Sequence, residues 1–422
     1  MEQKIYNEYV EILKEELLPA MGCTEPIAVA YAAAVAVQAL GEKPESVEVN
    51  VSANIIKNVK SVVVPCTGGL RGIGAAVCAG IVAGCPEKEL EILEEITGEQ
   101  KVEMKKMLDT MPMTIRESDK EYIFDIQIKA CAGGHSGYVE IAGFHTNVIC
   151  VKKDDEIIRE KAYEEQGSSC ATDRSLLTVE KIIEFADCVD VADVEEVLQR
   201  QIDYNWAIAE EGMTGNGGAA IGKTLMEAYG NSVHNRAKAM AAAGSDARMN
   251  GCELPVVINS GSGNQGMTTS LPVIVYAKEL NVSKEMMLRA LVVSNLITIH
   301  MKTGIGRLSA YCGAISAGCG AGAGICYLYG GHAYEISHVI VNAVAINSGV
   351  VCDGAKASCA AKIASAVEAG LLGLQMQKNG KQFYGGDGLV EKGVENTIRN
   401  IGELAKKGMR ETDKTIIQIM TR

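Results

Sequence analysis

The first pattern along the chain is helical. Tyr6, Val10 and Leu13 recur every three or four residues, which places them on one face of a helix over residues 2–20. A loop ends this helix, and a short apolar stretch over residues 27–40 predicts a second one. The chain therefore opens with two helices that can cover a hydrophobic core.

Alternating patterns follow and predict strands. Val47, Val49 and Val51 alternate with polar residues, and residues 46–65 as a whole predict strand structure. Alternation also marks three later segments, at residues 122–130, 137–142 and 147–151. A charged, helical pattern separates the first strands from the later ones, so this part of the chain predicts a small α/β unit.

From Leu177 onward the pattern is almost wholly helical. Glycine is abundant, at 45 residues, and only 5% of the residues are aromatic, which suits close helix packing better than a β-sandwich. The predicted fold class is α+β, with a mostly helical domain of many small-residue buried helices and a smaller α/β domain inserted near the N-terminus. The predicted boundaries are residues 1–45 for N-terminal helices that belong with the helical core, 46–165 for the α/β domain and 166–422 for the helical domain.

The acidic balance of the chain limits its partners. The 422 residues carry a net charge of −13, with a pI near 5.1, which argues against nucleic acid or an anionic membrane surface as a partner. No apolar run demands a membrane span, and the N-terminus has no signal-peptide pattern. The 14 cysteines then indicate a reducing, cytoplasmic setting in which thiols stay free or bind metal.

Cysteines stand at breaks in the helical pattern. Residues 342–366 begin as a buried helix, break at Gly349, present Cys352 and resume as a helix that carries Cys359. Upstream, Cys312 interrupts another helical run of small residues. Thiolates from separated segments can assemble an iron–sulfur centre with one open iron. Buried free cysteines are also common, and the spacing is not that of ferredoxin or zinc sites, so spacing alone leaves both interpretations open.

Polar loops supply candidate substrate contacts. Residues 259–272 place Asn, Ser, Gln and Thr among glycines just before an apolar helix, which favours a carboxylate site, although such runs are ordinarily plain loops. The candidates in this loop are Ser260, Ser262, Asn264 and Gln265. Lys302 and Arg307 lead into the Cys312 segment, where either cation could neutralise a substrate carboxylate or a cluster.

Cys23 lies in the loop before the helix over residues 27–40. The dipole at a helix N-terminus lowers the pKa of a nearby thiol, so the position predicts a lowered pKa for Cys23. The thiol could be a metal ligand, a base or a plain loop residue. His135 and His145 lie among the predicted strands, where a histidine is more often solvated than in contact with a substrate.

Taken together, these segments resemble the L-cysteine desulfidase family, relatives of the oxygen-sensitive iron–sulfur L-serine dehydratases. The resemblance runs through nearly the whole length, and the combination of motifs is specific although each motif alone is weak. The matching motifs are Met21-Gly-Cys-Thr-Glu-Pro26, Ser260-Gly-Ser-Gly-Asn-Gln-Gly266, Gly306-Arg-Leu-Ser-Ala-Tyr-Cys-Gly313 and Cys352-Asp-Gly-Ala-Lys-Ala-Ser-Cys359.

The resemblance implies a [4Fe–4S] cluster as the cofactor. In the dehydratases, the cysteine of a Cys-Asp pair and a cysteine further along the chain ligate the cluster. By position, Cys352 matches the first and Cys359 the second. The upstream ligand is Cys312 or Cys319, and the sequence around Cys312 is more similar to that of the family. Cys23 is implied either to be linked to the cluster or to transfer a proton, so the choice of three ligands stays open.

The implied activity is the α,β-elimination of L-cysteine to pyruvate, ammonia and sulfide, with the open iron as a Lewis acid. The dehydratases carry a Ser-Ser-Ser-His loop where this chain has Gly-Cys-Thr-Glu-Pro, which favours a thiol substrate and makes Thr24 and Glu25 candidate substrate contacts. Cys23 is then the first candidate for the base, and Lys302 or Arg307 could assist. The expected partner is a small-molecule amino acid.

Other functions stay open at the level of sequence. The nearest alternative is an iron–sulfur L-serine dehydratase. A pyridoxal phosphate lyase would need a lysine beside a phosphate-binding glycine loop, and Lys356 sits in a pattern that does not suit that fold. A non-enzymatic iron–sulfur or thiol redox sensor would carry a DNA-binding or signalling module, which the acidic chain does not offer. The glycine-rich helix faces are compatible with a homodimer.

Overall fold

A computed structural model describes residues 1–120, 122–162, 172–215, 217–306 and 308–421 of the chain. The helices are α1 (Gln3–Glu16), α2 (Thr24–Leu40), α3 (Ala53–Val59), α4 (Gly72–Ala83), α5 (Gly98–Thr110), α6 (Val179–Cys188), α7 (Glu195–Thr214), α8 (Ile221–Tyr229), α9 (Val233–Met249), α10 (Gly263–Glu279), α11 (Lys284–Ile305), α12 (Gly313–Leu328), α13 (Ala333–Ile346), α14 (Ser358–Lys378), α15 (Val394–Glu403) and α16 (Arg410–Thr421).

The strands are β1 (Pro19–Met21), β2 (Ser46–Val51), β3 (Met113–Glu117), β4 (Asp125–Ala132), β5 (His135–Ala142), β6 (Val148–Lys153), β7 (Glu156–Glu160) and β8 (Pro255–Val257). Strands β2 to β7 form one sheet in the order β3-β2-β4-β5-β6-β7. Strands β2 and β3 are parallel, and the other neighbours in this sheet are antiparallel. The small sheet beside a large set of helices confirms the α+β fold class.

One hydrophobic core lies between the sheet and helix α2. Val49, Ile126, Ile128 and Val139 are buried from the sheet side, and α2 is apolar over nearly its whole surface. A helix that is apolar all round must be covered on every side. The sheet covers α2 on one side, and α4, which is equally rich in small apolar residues, packs on another.

A second core lies among the helices from α6 to α15, and helix α1 contributes to it. Helices α9, α10, α11, α12 and α14 pack closely because alanine and glycine occupy their contacts. The short antiparallel pair of β1 and β8 joins the N-terminal segment to this helical part. The domain boundaries at residues 45 and 165 stay a prediction.

Replacing Gly318 with alanine is expected to destabilise the protein. An added Cβ at this position in α12 would lie 2.3 Å from the backbone oxygen of Ala366 in α14, so one of the two helices would have to move. Overpacking of a buried contact costs about 1–3 kcal/mol of unfolding free energy. The urea concentration at the midpoint of unfolding should therefore be lower for Gly318→Ala than for the wild type. Gly98→Ala is the control, since nothing lies within 4 Å of its added Cβ, and an unchanged midpoint in both variants would contradict the packing.

Several local predictions from the sequence are wrong. Residues 46–65 form a strand only over Ser46–Val51, and Ala53–Val59 is the helix α3. Residues 244–248 have the composition of a polar turn, yet they form the last turns of α9, because the surrounding helices bury them. The glycine-rich segment 212–218 has the composition of a hinge, yet its first residues, to Thr214, belong to α7. Among the described residues, no helix is both long enough and apolar enough to cross a membrane.

Candidate active site

The candidate active site is a cavity of about 110 Å³ between the sheet and the helical part. A single buried water needs roughly 10–15 Å³ of cavity volume, so this cavity has room for a larger group. The first residues of α2, α10, α12 and α14, or the residues just before them, line the wall. Each helix start carries a partial positive charge, so this convergence favours an anionic occupant.

Cys312 and Cys352 meet at an antiparallel bridge. Tyr311 pairs with Val351, the N–H of Cys312 donates to the oxygen of Val350 at 3.1 Å, and the N–H of Cys352 donates to the oxygen of Ala310 at 2.6 Å. Residues that flank such a pair on both strands project to the same face. The bridge therefore holds the two thiols on one side, and both line the cavity.

Cys359 completes a group of three thiols on the cavity wall. Burial, and then the negative charges of Cys352 and Cys359, raise the pKa of Cys312 to about 12. Burial and the charge of Cys352 likewise raise the pKa of Cys359. A negative charge on one of these sulfurs therefore disfavours ionisation of its neighbours, while Lys362 acts in the opposite direction on Cys312 and Cys359.

The loop between Cys352 and Cys359 is fixed from two sides. Gly354 has a φ of +89°, and an added Cβ would lie 2.3 Å from the backbone oxygen of Lys57, so only glycine fits between the loop and α3. Burial acts to raise the pKa of Asp353, but its hydrogen bonds from Lys356 and Lys362 hold that pKa down to about 2. The charged Asp353 thereby ties both lysines beside the thiols.

Cys23 is the residue before the first turn of α2, and the prediction of a lowered pKa for its thiol is wrong. Burial raises the pKa of Cys23, and the carboxylate of Glu25 raises it further. These effects outweigh the opposing charge of Arg248. The Cys23 thiol donates a hydrogen bond to Glu25 at 3.3 Å, and the amide of Asn58 donates to the other carboxylate oxygen of Glu25 at 3.1 Å.

The loop before α10 brings the predicted polar residues to the cavity. Ser260, Ser262, Asn264 and Gln265 all line it. Thr24 lies behind the wall, where its hydroxyl donates to the backbone oxygen of Gly261 at 3.0 Å and joins this loop to the start of α2. The structure thus brings the two predicted substrate loops together.

Two buried polar atoms on the wall have no hydrogen-bond partner within the part of the chain that the structure describes. They are Oε1 of Gln265 and the hydroxyl of Tyr311, whose side chains are 6% and 1% exposed. Gln265 packs directly against Gly313, next to Cys312. An unpaired buried polar group costs free energy, so both atoms are suited to a bound ligand.

Of the two predicted cations, Lys302 is buried and lies on the cavity wall. Arg307 lies outside the described residues.

Sequence reasoning missed other polar residues of the wall, namely Lys57, Asn58, Tyr311, Lys362 and Arg248. Lys57 forms a buried ion pair with Asp413 of α16 at 2.5 Å. A helical rather than alternating pattern over residues 53–59 was the signal that could have placed Lys57 and Asn58. His145, which the sequence indicated as more often solvated, is buried and also lines the cavity.

Cys319, the alternative upstream cysteine, does not line the cavity. It is buried within α12, and burial raises its pKa to about 12. Above pH 9 the unfolded chain loses this proton while the folded chain keeps it, so the free energy of unfolding should fall as pH rises from 9 to 12. The expected slope from this one group is about 1.4 kcal/mol per pH unit.

Urea unfolding at pH 8, 9 and 10 tests this expectation. The variant Cys319→Ala should lose stability more slowly with rising pH than the wild type, whatever its stability at pH 8. Cys85→Ala, at an exposed cysteine, is the control. Parallel pH dependences in the wild type and in Cys319→Ala would contradict the burial of this thiol.

A sequence profile described as serine dehydratase alpha chain matches residues 87–418. The match covers well over half of the 422 residues. The chain belongs to the serine dehydratase alpha chain family. Three of the cavity cysteines lie within the matched range, and this family indicates a dehydratase or lyase type of enzyme.

Relatives of this family member match along the full length. A UPF0597 protein of Desulfitobacterium hafniense is 59% identical over 419 residues, which are 99% of this chain and 97% of the relative. A UPF0597 protein of Lachnoclostridium phytofermentans is 50% identical over 99% of this chain and 100% of its own. A third, of Treponema denticola, is 43% identical over 100% of this chain and 99% of its own.

Proposed function

We propose that this protein is an L-cysteine desulfidase that converts L-cysteine to pyruvate, ammonia and sulfide. The observation that carries the proposal is the group of Cys312, Cys352 and Cys359 on one cavity wall, beside the polar loop before α10. Soft thiolate ligands select iron–sulfur clusters, and the surrounding helix starts favour an anionic occupant. An amino acid with a sulfur leaving group fits the same surroundings.

The donor set of the cavity fits a [4Fe–4S] cluster. No group of three or more His, Cys, Asp or Glu side chains in the described ranges is arranged to hold a single metal ion. A four-iron cluster needs cysteine sulfurs that are farther apart than the ligands of one metal ion, because each cysteine binds a different iron. Cys312, Cys352 and Cys359 would hold it. When bound, the cluster supplies an open iron that acts as a Lewis acid toward the leaving sulfur.

The residues around Cys23 can move the proton from the substrate. Cys23 reaches the cavity and its thiol donates to Glu25, so the carboxylate can take the thiol proton while the sulfur accepts the proton from Cα. Asn58 holds Glu25 in this position. Loss of the Cα proton and of the sulfur leaves 2-aminoacrylate, which tautomerises and takes up water to give pyruvate and ammonia.

The remaining wall orients the substrate and excludes water. Gln265 and Tyr311 offer an acceptor and a hydroxyl without partners in the described chain, and Lys302 adds a buried positive charge. Phe124 and Ile363 make the rest of the wall apolar. A site with few waters strengthens each of these polar contacts.

The family match favours a second candidate, an L-serine dehydratase. Substrate preference separates the two functions. Protein purified and reconstituted without oxygen should be brown, and it should release sulfide and pyruvate in equal amounts from L-cysteine, with a higher kcat/KM than for pyruvate from L-serine. A higher kcat/KM for L-serine would assign the dehydratase function instead. No product from either amino acid would contradict the proposed reaction.

A further inference from the structure

Arg248 is a buried cation on the cavity wall, and it has no part in the reaction proposed above. Its side chain is 2% exposed, near the end of α9. Nε donates to the backbone oxygen of Gly22 at 2.7 Å, and Nη1 donates to Oδ1 of Asn264 at 3.0 Å. Both partners are neutral. Among the described residues no carboxylate forms an ion pair with Arg248, and its side-chain hydrogen bonds are those of Nε and Nη1 alone.

A buried charge without a counter-charge is costly. Removing an ion from water costs several kcal/mol even after the protein relaxes, and neutral hydrogen bonds recover only part of that cost. The other buried or half-buried cations of the wall with a described ion pair are Lys57, paired with Asp413, and Lys362, paired with Asp353. Arg248 therefore differs from them in lacking its anion.

The surroundings of Arg248 add to the positive potential. An added Cβ at Gly263 would lie 2.6 Å from Nε and 2.9 Å from Cζ of Arg248, so the guanidinium rests against the first turn of α10. Ser262, the residue before this helix, makes no side-chain hydrogen bond that caps the turn in the described structure. A guanidinium and the positive end of a 17-residue helix then face the same space. An anion between them would satisfy both.

We infer that Arg248 and the first turn of α10 bind the α-carboxylate of the substrate. This inference rests on the proposed function and narrows its substrate class to amino acids with a free carboxylate. Guanidinium groups suit carboxylates because their N–H donors lie in one plane and stay charged at every working pH. Amines and amides of the same side chain lack the negative charge that this subsite requires.

Arg248→Gln and Arg248→Lys test the inference with the iron-containing protein. In the glutamine variant the KM for L-cysteine should rise roughly 10–100-fold, as expected for loss of a charged hydrogen bond, with a smaller change in kcat. The lysine variant should recover part of the loss, because it keeps the charge without the planar donors. Iron and sulfide content and the visible spectrum should match the wild type in both.

A binding measurement gives a readout that does not depend on turnover. L-Alanine, which has the carboxylate but no leaving group, should bind the wild type in calorimetry and lose roughly 10–100-fold in affinity in Arg248→Gln. Ethylamine, which lacks the carboxylate, should bind both proteins equally weakly.

An unchanged KM and an unchanged L-alanine affinity in Arg248→Gln would overturn the inference. Loss of the iron in Arg248→Gln would also overturn the inference, because it would show that the guanidinium stabilises the thiolates. Failure of both variants to fold would overturn it as well. If the wild type releases no sulfide while L-alanine binding still depends on Arg248, the proposed function fails and the carboxylate subsite stands. If the wild type releases sulfide and Arg248→Gln matches it, only the subsite fails.

Discussion

Replacing Cys352 with serine should abolish both iron binding and sulfide release. Cys352 is held beside Cys312 by the bridge between Tyr311 and Val351, so no other thiol can take its place without rebuilding that bridge. Loss of an outer-shell partner of a metal site already costs about 10–100-fold in affinity or activity, and loss of a direct ligand should cost more. Activity should therefore fall to less than about 1% of the wild type.

Iron and acid-labile sulfide content, measured on protein reconstituted without oxygen, test this prediction together with the rate of sulfide release. Cys252→Ser is the matched control, because Cys252 is also half-buried but does not line the cavity. It should retain the iron and the activity of the wild type. A full complement of iron in Cys352→Ser would contradict the assignment of this ligand.

Replacing Cys23 with serine should remove activity while leaving the iron in place. The thiol of Cys23 is buried at the start of α2, reaches the cavity and donates to Glu25. A positioned acid–base group contributes typically about 10²–10⁴-fold, and a serine hydroxyl is a much weaker proton acceptor than a thiolate. The kcat for L-cysteine should fall by that factor, whereas the KM should change little because the carboxylate contacts remain.

The same assays of iron content and initial rate decide the role of Cys23. Cys66→Ser is the control for loss of a buried thiol near this part of the chain, since Cys66 is buried but absent from the cavity wall. Loss of iron in Cys23→Ser, in parallel with the loss of activity, would make Cys23 a ligand and contradict its role in proton transfer.

The fold class and much of the candidate site could be read from the sequence, because both depend on local patterns. Period-two alternation locates β2, β4, β5 and β6, and small apolar residues mark the buried helices. The glycine and cysteine breaks at Cys312 and Cys352 interrupt those helices, and the bridge between the two segments then brings the thiols together. The breaks in the helical pattern are local and visible in the sequence, whereas the bridge is a long-range contact that only the structure shows.

The features that the sequence did not reveal depend on tertiary packing. Gly244, Ser245 and Asp246 have the composition of a turn, yet packing against α7 and α10 keeps them helical and carries Arg248 to the cavity. The low pKa expected for Cys23 follows from its place at a helix start, but burial and the carboxylate of Glu25 act in the opposite direction. Neither effect has a signature in the local sequence.

The Mössbauer spectrum of protein reconstituted with ⁵⁷Fe, recorded before and after addition of L-cysteine, tests the central claim most directly. Three cysteine ligands leave one iron of a [4Fe–4S] cluster without a thiolate from the chain. That iron should give a signal distinct from the other three, and L-cysteine should shift this signal alone. The claim that a carbon–sulfur bond is broken at an open iron in this cavity would be contradicted by either of two results. One is a spectrum in which L-cysteine shifts no iron signal, and the other is reconstituted protein that takes up no cluster.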